Sequence, residues 1–571
     1  MLKQAAKSSL RSEIFLACGF QPLHLETFLK AYFSERFPGE RAEVWTGLYG
    51  DLEGTLLKAV SSGATAAAVV IERSDLDPRL GLRSAGGWGL SVQQDILRSS
   101  AGRWACFLAK LADLASRMAV ALVAPTLSNS LAGHTAGWQM SPIEVELEKQ
   151  TAGFLAEAAV IGNVSILNPS RLARLSPEGS RLDAKMELAA GFPYSLGHAS
   201  ALASQLVMLL YPPSPMKGLI TDLDETLWSG VVGEIGVGRV SWSLAEHAQM
   251  HGLYQQELRH LSEMGVLLAI ASKNEIAVVK EALLRSDLYI SGDAFYPVFA
   301  DWGPKSRSVA GILQEWNIGA EGVVFVDDSP LELDEVRTGF PTMTCLPFPN
   351  GSPAKVVELL EQLRDLFGKP AVFREDALRQ ASIRASGQFK EAARQGDSGG
   401  FGEFMKGLEG KVSFDARKDS GNKRLLELIN KTNQFNLNGV RLTEGEWLRR
   451  LEDPASFVVS VSYEDKFGPL GAIGVVAGKR AAGRLEIGTW VMSCRAFSRR
   501  IEFHTLEYLF GSSGAESISL KFQPTERNQP LQEFLRQIHL AADPTEGWIL
   551  QREKFAGEHE LPHSVVVTEE G

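Results

Sequence analysis

Apolar positions in the first third of the chain fall into short unbroken runs separated by stretches of helical spacing. Ile14 to Ala17, Ala66 to Ile71 and Val120 to Ala124 have the length and continuity of buried strands. Leu23 to Phe33, Glu144 to Ala159 and Ala199 to Leu210 repeat apolar residues at the spacing of one helix face. Alternation of this kind predicts a parallel sheet with helices on both faces. The pattern recurs further on. Gly218 to Ile220, Val266 to Ala271 and Gly322 to Val326 read as strands, and Leu244 to Met264, Glu275 to Leu284 and Val309 to Trp316 read as helices. From about residue 411 the rhythm changes. Phe457 to Ser462, Gly471 to Ala477 and Arg484 to Val491 read as successive antiparallel strands. A helix (Arg499 to Phe510), a strand (Ser517 to Phe522) and a helix (Pro530 to Ile538) follow, as in an α+β domain. There is no internal repeat and no long low-complexity tract.

The breaks in this pattern suggest a multidomain α/β protein. Tyr211-Pro212-Pro213-Ser214-Pro215 is a stiff connector, and Asp397-Ser398-Gly399-Gly400 marks a loop. The expected divisions are an α/β domain over 12–212, a second over 216–350, a helical connector over 351–402 and an α+β domain over 403–571. A chain of 571 residues exceeds one core. Its 44% hydrophobic and 22% charged residues are ordinary for globular proteins. A net charge of −11 speaks against general binding to nucleic acid or anionic membranes, while leaving room for a local basic pocket. The polar start, Met1 to Arg11, leads into no apolar signal region, and no apolar run is long enough to span a bilayer. The 4 cysteines, Cys18, Cys106, Cys345 and Cys494, form no CxxC pair. They suggest neither a disulfide framework nor structural zinc, so the expected location is a reducing cytoplasm.

Chemistry begins where the Gly218 strand runs into Asp222-Leu223-Asp224-Glu225-Thr226. Two carboxylates two residues apart point the same way if the strand persists. The carboxyl end of a strand is where open parallel sheets bind ligands. Paired buried carboxylates call for a cation or a shared proton. Ser272, Lys305 and the pair Asp327-Asp328 follow, each at a strand end or in a loop. This order resembles the haloacid dehalogenase (HAD) phosphohydrolases. The resemblance implies Asp222 as nucleophile and Asp224 as the acid that protonates the leaving oxygen and later activates water. Thr226 braces the loop. Ser272 and Lys305, with Asn274 beside them, hold phosphate oxygens. Asp222, the backbone carbonyl of Asp224, Asp327 and Asp328 are the expected ligands of Mg²⁺. No large insertion separates Trp228 from the Ser272 strand, so the site lacks a bulky cap of its own.

Longer stretches narrow the resemblance. Asp222 to Glu234, Ser272 to Glu275, Trp302 to Ser306, Val326 to Pro330 and Leu428 to Leu437 closely resemble the FkbH-like family. That family implies removal of phosphate from D-1,3-bisphosphoglycerate. It also implies transfer of the glyceryl unit, or a related three-carbon unit, to the phosphopantetheine thiol of an acyl carrier protein in polyketide biosynthesis. It further implies a degenerate SGNH-hydrolase-like first domain and a GNAT-like last one. In the first, Gly19-Phe20 stands where a nucleophilic serine is expected, and His198 reads better as a helix-entry residue than as a base. In the last, Val491 to Arg495 resembles the family's MSCR motif. Cys494 is the candidate thiolate carrier there, with Glu502 and His504 as possible helpers. Arg495 to Arg500 is the candidate phosphate loop. Asn433, Gln434, Asn436 and Thr525 are candidates for the acyl pocket or, equally, for capping turns. Two other readings stand beside this one: a Mg²⁺-dependent phosphatase of a small metabolite, and a carrier-protein scaffold with a weakly active HAD domain.

Overall fold

The computed structural model describes residues 11–84, 88–128, 134–372, 376, 383, 405–419, 421–466, 468–481, 483–493, 496–497, 499–525, 527–538, 541–543, 547–555 and 561–568. They form two compact units. One comprises the chain up to Pro213 with Leu442–Asp453, the other Ser214–Arg441 with the chain from Pro454 onward.

In the first unit, β1 (Arg11–Cys18), β2 (Arg41–Thr46), β3 (Ala66–Val70), β4 (Ala119–Val123) and β5 (Val164–Ile166) make a sheet of order β2-β1-β3-β4-β5. Every pairing is parallel. The strand period sorts the core into two layers. Phe15 and Ala17 of β1 pack with Leu56, Trp104 and Phe107, while Ile14, Leu16 and Cys18 pack with Leu29, Phe33 and Leu202. The edge strands β2 and β5 escape the apolar pattern because an edge strand is only partly covered. The helix Glu444–Glu452 belongs to this unit. Its Gly445 lies so close to the Thr65 and Arg117 carbonyls that a Cβ would stand 3.1 and 3.2 Å from them.

The second unit begins with β6 (Gly218–Thr221), β7 (Leu267–Ser272), β8 (Phe295–Ala300), β9 (Val323–Asp327) and β10 (Thr344–Pro347), in the order β10-β9-β6-β7-β8. These pairings too are parallel. Leu219, Leu268, Ile270, Val324 and Val326 face one layer, with Trp228 and Tyr254. Ile220, Ala269, Val323 and Phe325 face the other, with Val309 and Trp316. Strand order reverses between β6 and β9, so their carboxyl ends flank the crevice where such sheets bind ligands. After Trp228 come a short helix, Val232–Ile235, and an isolated bridge between Ser229 and Ser241.

The rest of this unit is a mixed sheet of order β16-β17-β15-β14-β13-β12-β11-β18. It is built from β11 (Lys411–Asp415), β12 (Ser456–Asp465), β13 (Gly468–Ala481), β14 (Arg484–Met492), β15 (Ser517–Leu520), β16 (Ala541–Asp543), β17 (Gly547–Gln551) and β18 (Ser564–Thr568). The meander β12-β13-β14 is antiparallel, as its alternation suggested. β14 and β15 run parallel and pair only from Arg484 to Ile487. Beyond that the chain itself fills the gap. Leu437 N–H donates to Trp490 O (2.9 Å), Met492 N–H to Phe435 O (3.0 Å) and Gln523 N–H to Leu437 O (3.0 Å). No helix among the described residues is long and apolar enough to cross a membrane.

Candidate active site

The apolar strands β6 and β9 each end in a carboxylate, Asp222 and Asp327, and parallel pairing sets them side by side. Asp222 N–H continues the ladder to Val326 O at 3.0 Å. Lys305 opens the helix Lys305–Trp316 and is only 2% exposed. Its Nζ lies 2.9 Å from Asp222 Oδ1 and 2.5 Å from Asp327 Oδ2, and it also pairs with Glu332. Lys273 reaches the other oxygen of Glu332 at 3.0 Å. Asp327 Oδ1 accepts from Ser329 N–H at 2.8 Å. Asp222 Oδ1 is buried without a partner in hydrogen-bond geometry.

Two lysines therefore face Asp222, Asp327, Asp328 and Glu332, and the cluster keeps an excess of negative charge. Burial raises the pKa of Asp222, against the opposing pull of Lys305. Asp327 is pushed up to about 7 by burial and by the Asp222 charge. Burial and Asp222 also raise Asp328. For Lys305 burial favours the neutral amine, but the carboxylates outweigh it and hold the ammonium. Glu332 goes the other way, because Lys305 and Lys273 outweigh its burial. One oxygen each from Asp222, Asp327 and Glu332 lies within 4.8 Å of the others. Surplus negative charge and an all-carboxylate donor set fit a hard divalent cation. Glu332 was absent from the sequence-based set. Its only signal is an acidic residue in the first turn of the helix Pro330–Gly339, which helix dipoles alone explain.

Asp224 sits in a second, linked network. Its Oδ1 accepts from Trp228 Nε1 (2.8 Å) and Val232 N–H (3.0 Å), and its Oδ2 from Asn274 Nδ2 (2.8 Å). Asn274 Nδ2 also reaches Ser272 Oγ at 3.1 Å. Thr226 Oγ1 approaches Asp328 Oδ1 at 3.4 Å, and His251 Nδ1 donates to the Thr226 carbonyl at 3.0 Å. The turn between Asp224 and Thr226 places Glu225 at φ 53°, a costly conformation outside glycine. Glu225 is held there by Gly230 N–H (2.8 Å) and by Asn350. Asp222, Lys305 and Asp327 thus meet in one cluster. Asp224, Ser272 and Asn274 meet in another, and Thr226 pairs with Asp328.

The corresponding strand end of the first unit is closed. A Cβ on Gly19 would fall 1.8 Å from Asp75 Oδ1, so Asp75 occupies the space a serine would need. Buried Glu72 accepts from Thr126 Oγ1 (2.6 Å), Thr126 N–H (3.1 Å) and Tyr194 OH (2.7 Å). His198 Nε2 meets Thr126 Oγ1 at 2.9 Å and Nδ1 meets Ser176 Oγ at 3.0 Å. Since Thr126 spends its proton on Glu72, His198 donates from Nε2 and accepts at Nδ1. Burial, then Arg181, pushes its pKa down to about 3.

Cys494, Arg495 and Ser498 lie outside the described residues. Of their neighbours, Glu502 is pushed up to about 7 by burial, and among the described residues its Oε2 has no hydrogen-bond partner. His504 is pushed down to about 4 by burial and by His563. Asn436 caps a turn, accepting from Asn438 N–H (3.2 Å) and Gly439 N–H (2.8 Å). Thr525 does the same for Arg527 and Asn528. Asn433 and Gln434 line a cavity.

No protein-family model and no curated protein matches the chain. Among solved structures it resembles the N-terminal part of a Bacteroides fragilis protein containing a phosphatase domain, solved as a complex with Mg. The TM-score is 0.50 at 20% identity, over 65% of this chain and 98% of that one. At 20% identity this likeness is one of fold alone. An uncharacterized Corynebacterium glutamicum protein matches 27% of this chain and 98% of its own at 16% identity, with a TM-score of 0.19, too low to carry any argument.

Proposed function

We propose that this chain is a Mg²⁺-dependent HAD-type phosphatase of a small phosphorylated metabolite. The observation that carries the reading is the buried meeting of Asp222, Lys305, Asp327 and Glu332 at two adjacent strand ends. The Mg in the Bacteroides fragilis structure supports the choice of metal. Asp222, Asp327 and Glu332 would hold it, and when bound it neutralises charge between the nucleophile and the phosphate.

The chain's own residues supply the rest. Asp222 attacks phosphorus, forming an aspartyl-phosphate as the ester P–O bond breaks. Asp224 gives the departing oxygen its proton. A water then attacks the aspartyl-phosphate, passes a proton to Asp224 and releases phosphate with the Asp222 carboxylate restored. The Lys305 ammonium offsets the charge of the transferring group, and Ser272 and Asn274 hold its oxygens. The test is phosphate release from a panel of small phosphate esters with and without Mg²⁺. No release from any of them would sink the reading.

The finer reading is that the substrate is D-1,3-bisphosphoglycerate and that the three-carbon acyl unit passes to a carrier protein's phosphopantetheine thiol through Cys494. It rests on the sequence resemblance of Leu428 to Leu437 and Val491 to Arg495, and on Asn433 and Gln434 bordering a polar cavity. Intact-protein mass spectrometry of a holo carrier, incubated with the enzyme and bisphosphoglycerate, tests it. Phosphate release without a glyceryl adduct would leave the phosphatase alone standing.

A further inference from the structure

The central sheet has a second end. The residues just before β6 and β9, Met216 and Gly322 among them, border a cavity of about 750 Å³. Its other walls include the helix Lys423–Lys431 and the loops after it. Asp222 follows the last residue of β6, so the length of that strand, about 13 Å, separates the cavity from the carboxylate cluster.

The charge of this cavity runs against that of the chain. Six basic side chains line it against three acidic ones, and of the six Lys369 is paired with buried Asp376 at 3.0 Å, while the whole protein carries −11. Arg424 is 6% exposed, and among the described residues its Nε has no hydrogen-bond partner. Its Nη1 pairs with Glu427, but Glu427 is shared with Lys431. Arg441 donates to the carbonyls of Ile429 (2.6 Å) and Thr432 (2.8 Å) and to Asn433 Oδ1; among the described residues it meets no carboxylate. Burial, and then the charge of Arg527, lowers its pKa. Like charges gathered on a polar cavity, with a buried donor left unbonded, are what an anion with several acceptor oxygens relieves.

We infer that this cavity binds a phosphate-bearing small molecule, with its phosphate shared by Arg424, Arg441 and Arg527. Several guanidinium forks at one place suit a dianion better than a single carboxylate. The inference does not rest on the phosphatase reading, since the two sites lie at opposite ends of the sheet.

The test is calorimetric titration of the full chain, freed of divalent metal, with inorganic pyrophosphate. Without metal the Asp222 cluster carries excess negative charge and repels the probe. Saturable binding that weakens with added salt is expected. Arg527 is exposed, so Arg527→Glu should fold and should weaken binding at least about tenfold. Asp222→Asn should leave binding unchanged. Absence of saturable binding, an unaltered affinity in Arg527→Glu, or loss in Asp222→Asn would each overturn the inference. Displacement of the probe by 3-phosphoglycerate assigns the site to a free metabolite. Displacement by 4′-phosphopantetheine assigns it to a carrier's arm, and displacement by neither counts against it.

Discussion

Two parallel sheets in this chain end in acidic residues, and the two ends behave oppositely. In the first unit, Glu72 accepts from Thr126 and Tyr194, His198 uses both ring nitrogens, and Asp75 fills the space beside Gly19. Each polar group there has a neighbour from its own unit. In the second unit, two lysines do not balance the carboxylates of Asp222, Asp327, Asp328 and Glu332. Polar residues at the end of a parallel sheet therefore do not by themselves make a site. What separates the two ends is electrical incompleteness. One network is closed on itself; the other keeps an excess of negative charge, which the proposed cation and phosphate site would use.

The largest way to break this comparison is Asp222→Asn. It removes the proposed nucleophile while keeping the shape, and phosphate release should fall by about a thousandfold or more. Unchanged release would mean that the exposed chemistry of the chain lies elsewhere.

The second test is a pH dependence in the closed network. Burial, reinforced by the charge of Glu72, pushes Asp75 up to about 7. Its folded pKa lies above its unfolded value, so the folded state binds the proton more tightly. Stability should then fall as pH rises from about 4 to about 7. Asp75→Asn removes this penalty. At pH 8 it should stabilise the first unit by up to about 4 kcal/mol, the worth of a shift of about three pH units. Urea unfolding of wild type and variant at pH 5 and pH 8 checks it. A variant no more stable than wild type at pH 8 would mean that Asp75 is better solvated than its burial implies.

The third test asks whether the closed network has hidden chemistry. His198→Leu strands Ser176 Oγ and deprives Thr126 of a donor, at a cost of about 1–3 kcal/mol. Phosphate release per folded molecule should not change. A loss of activity beyond the loss of folded protein would make the first unit a second centre.

The sequence revealed the open end better than the closed one, for a physical reason. Asp222, Ser272, Lys305 and Asp327 each follow an apolar run or a loop signal, so local pattern alone places three of them at strand ends and Lys305 at the start of a helix. Glu332 has no such mark, because an acid in a helix's first turn is normally explained by the dipole. Asp75 was equally hidden. Its contact with Gly19 is tertiary, and nothing local to either residue announces it. The edge strands β2, β5, β8 and β10 were missed because partial cover relaxes the apolar pattern. Phe435 to Asn438 was unreadable as a filler between β14 and its neighbour, since only the fold brings them together.

The smallest effect probes the link between the two networks of the open end. Trp228 is fully buried, and its indole N–H is one of three donors that fix Asp224. Trp228→Phe keeps an aromatic ring and deletes that donor. Val232 N–H and Asn274 Nδ2 remain, so Asp224 should lose orientation without leaving the site. In the proposed reaction Asp224 acts only when a proton moves, whereas phosphate binding falls to Lys305, Ser272 and Asn274. The variant should therefore lower kcat by about tenfold, roughly 1.4 kcal/mol, with KM nearly unchanged. A purely structural role for Trp228 would instead lower the folded fraction and leave kcat per folded molecule intact. A rise in KM at constant kcat would place Asp224 among the groups that bind phosphate, and the division between the two networks would have to be redrawn.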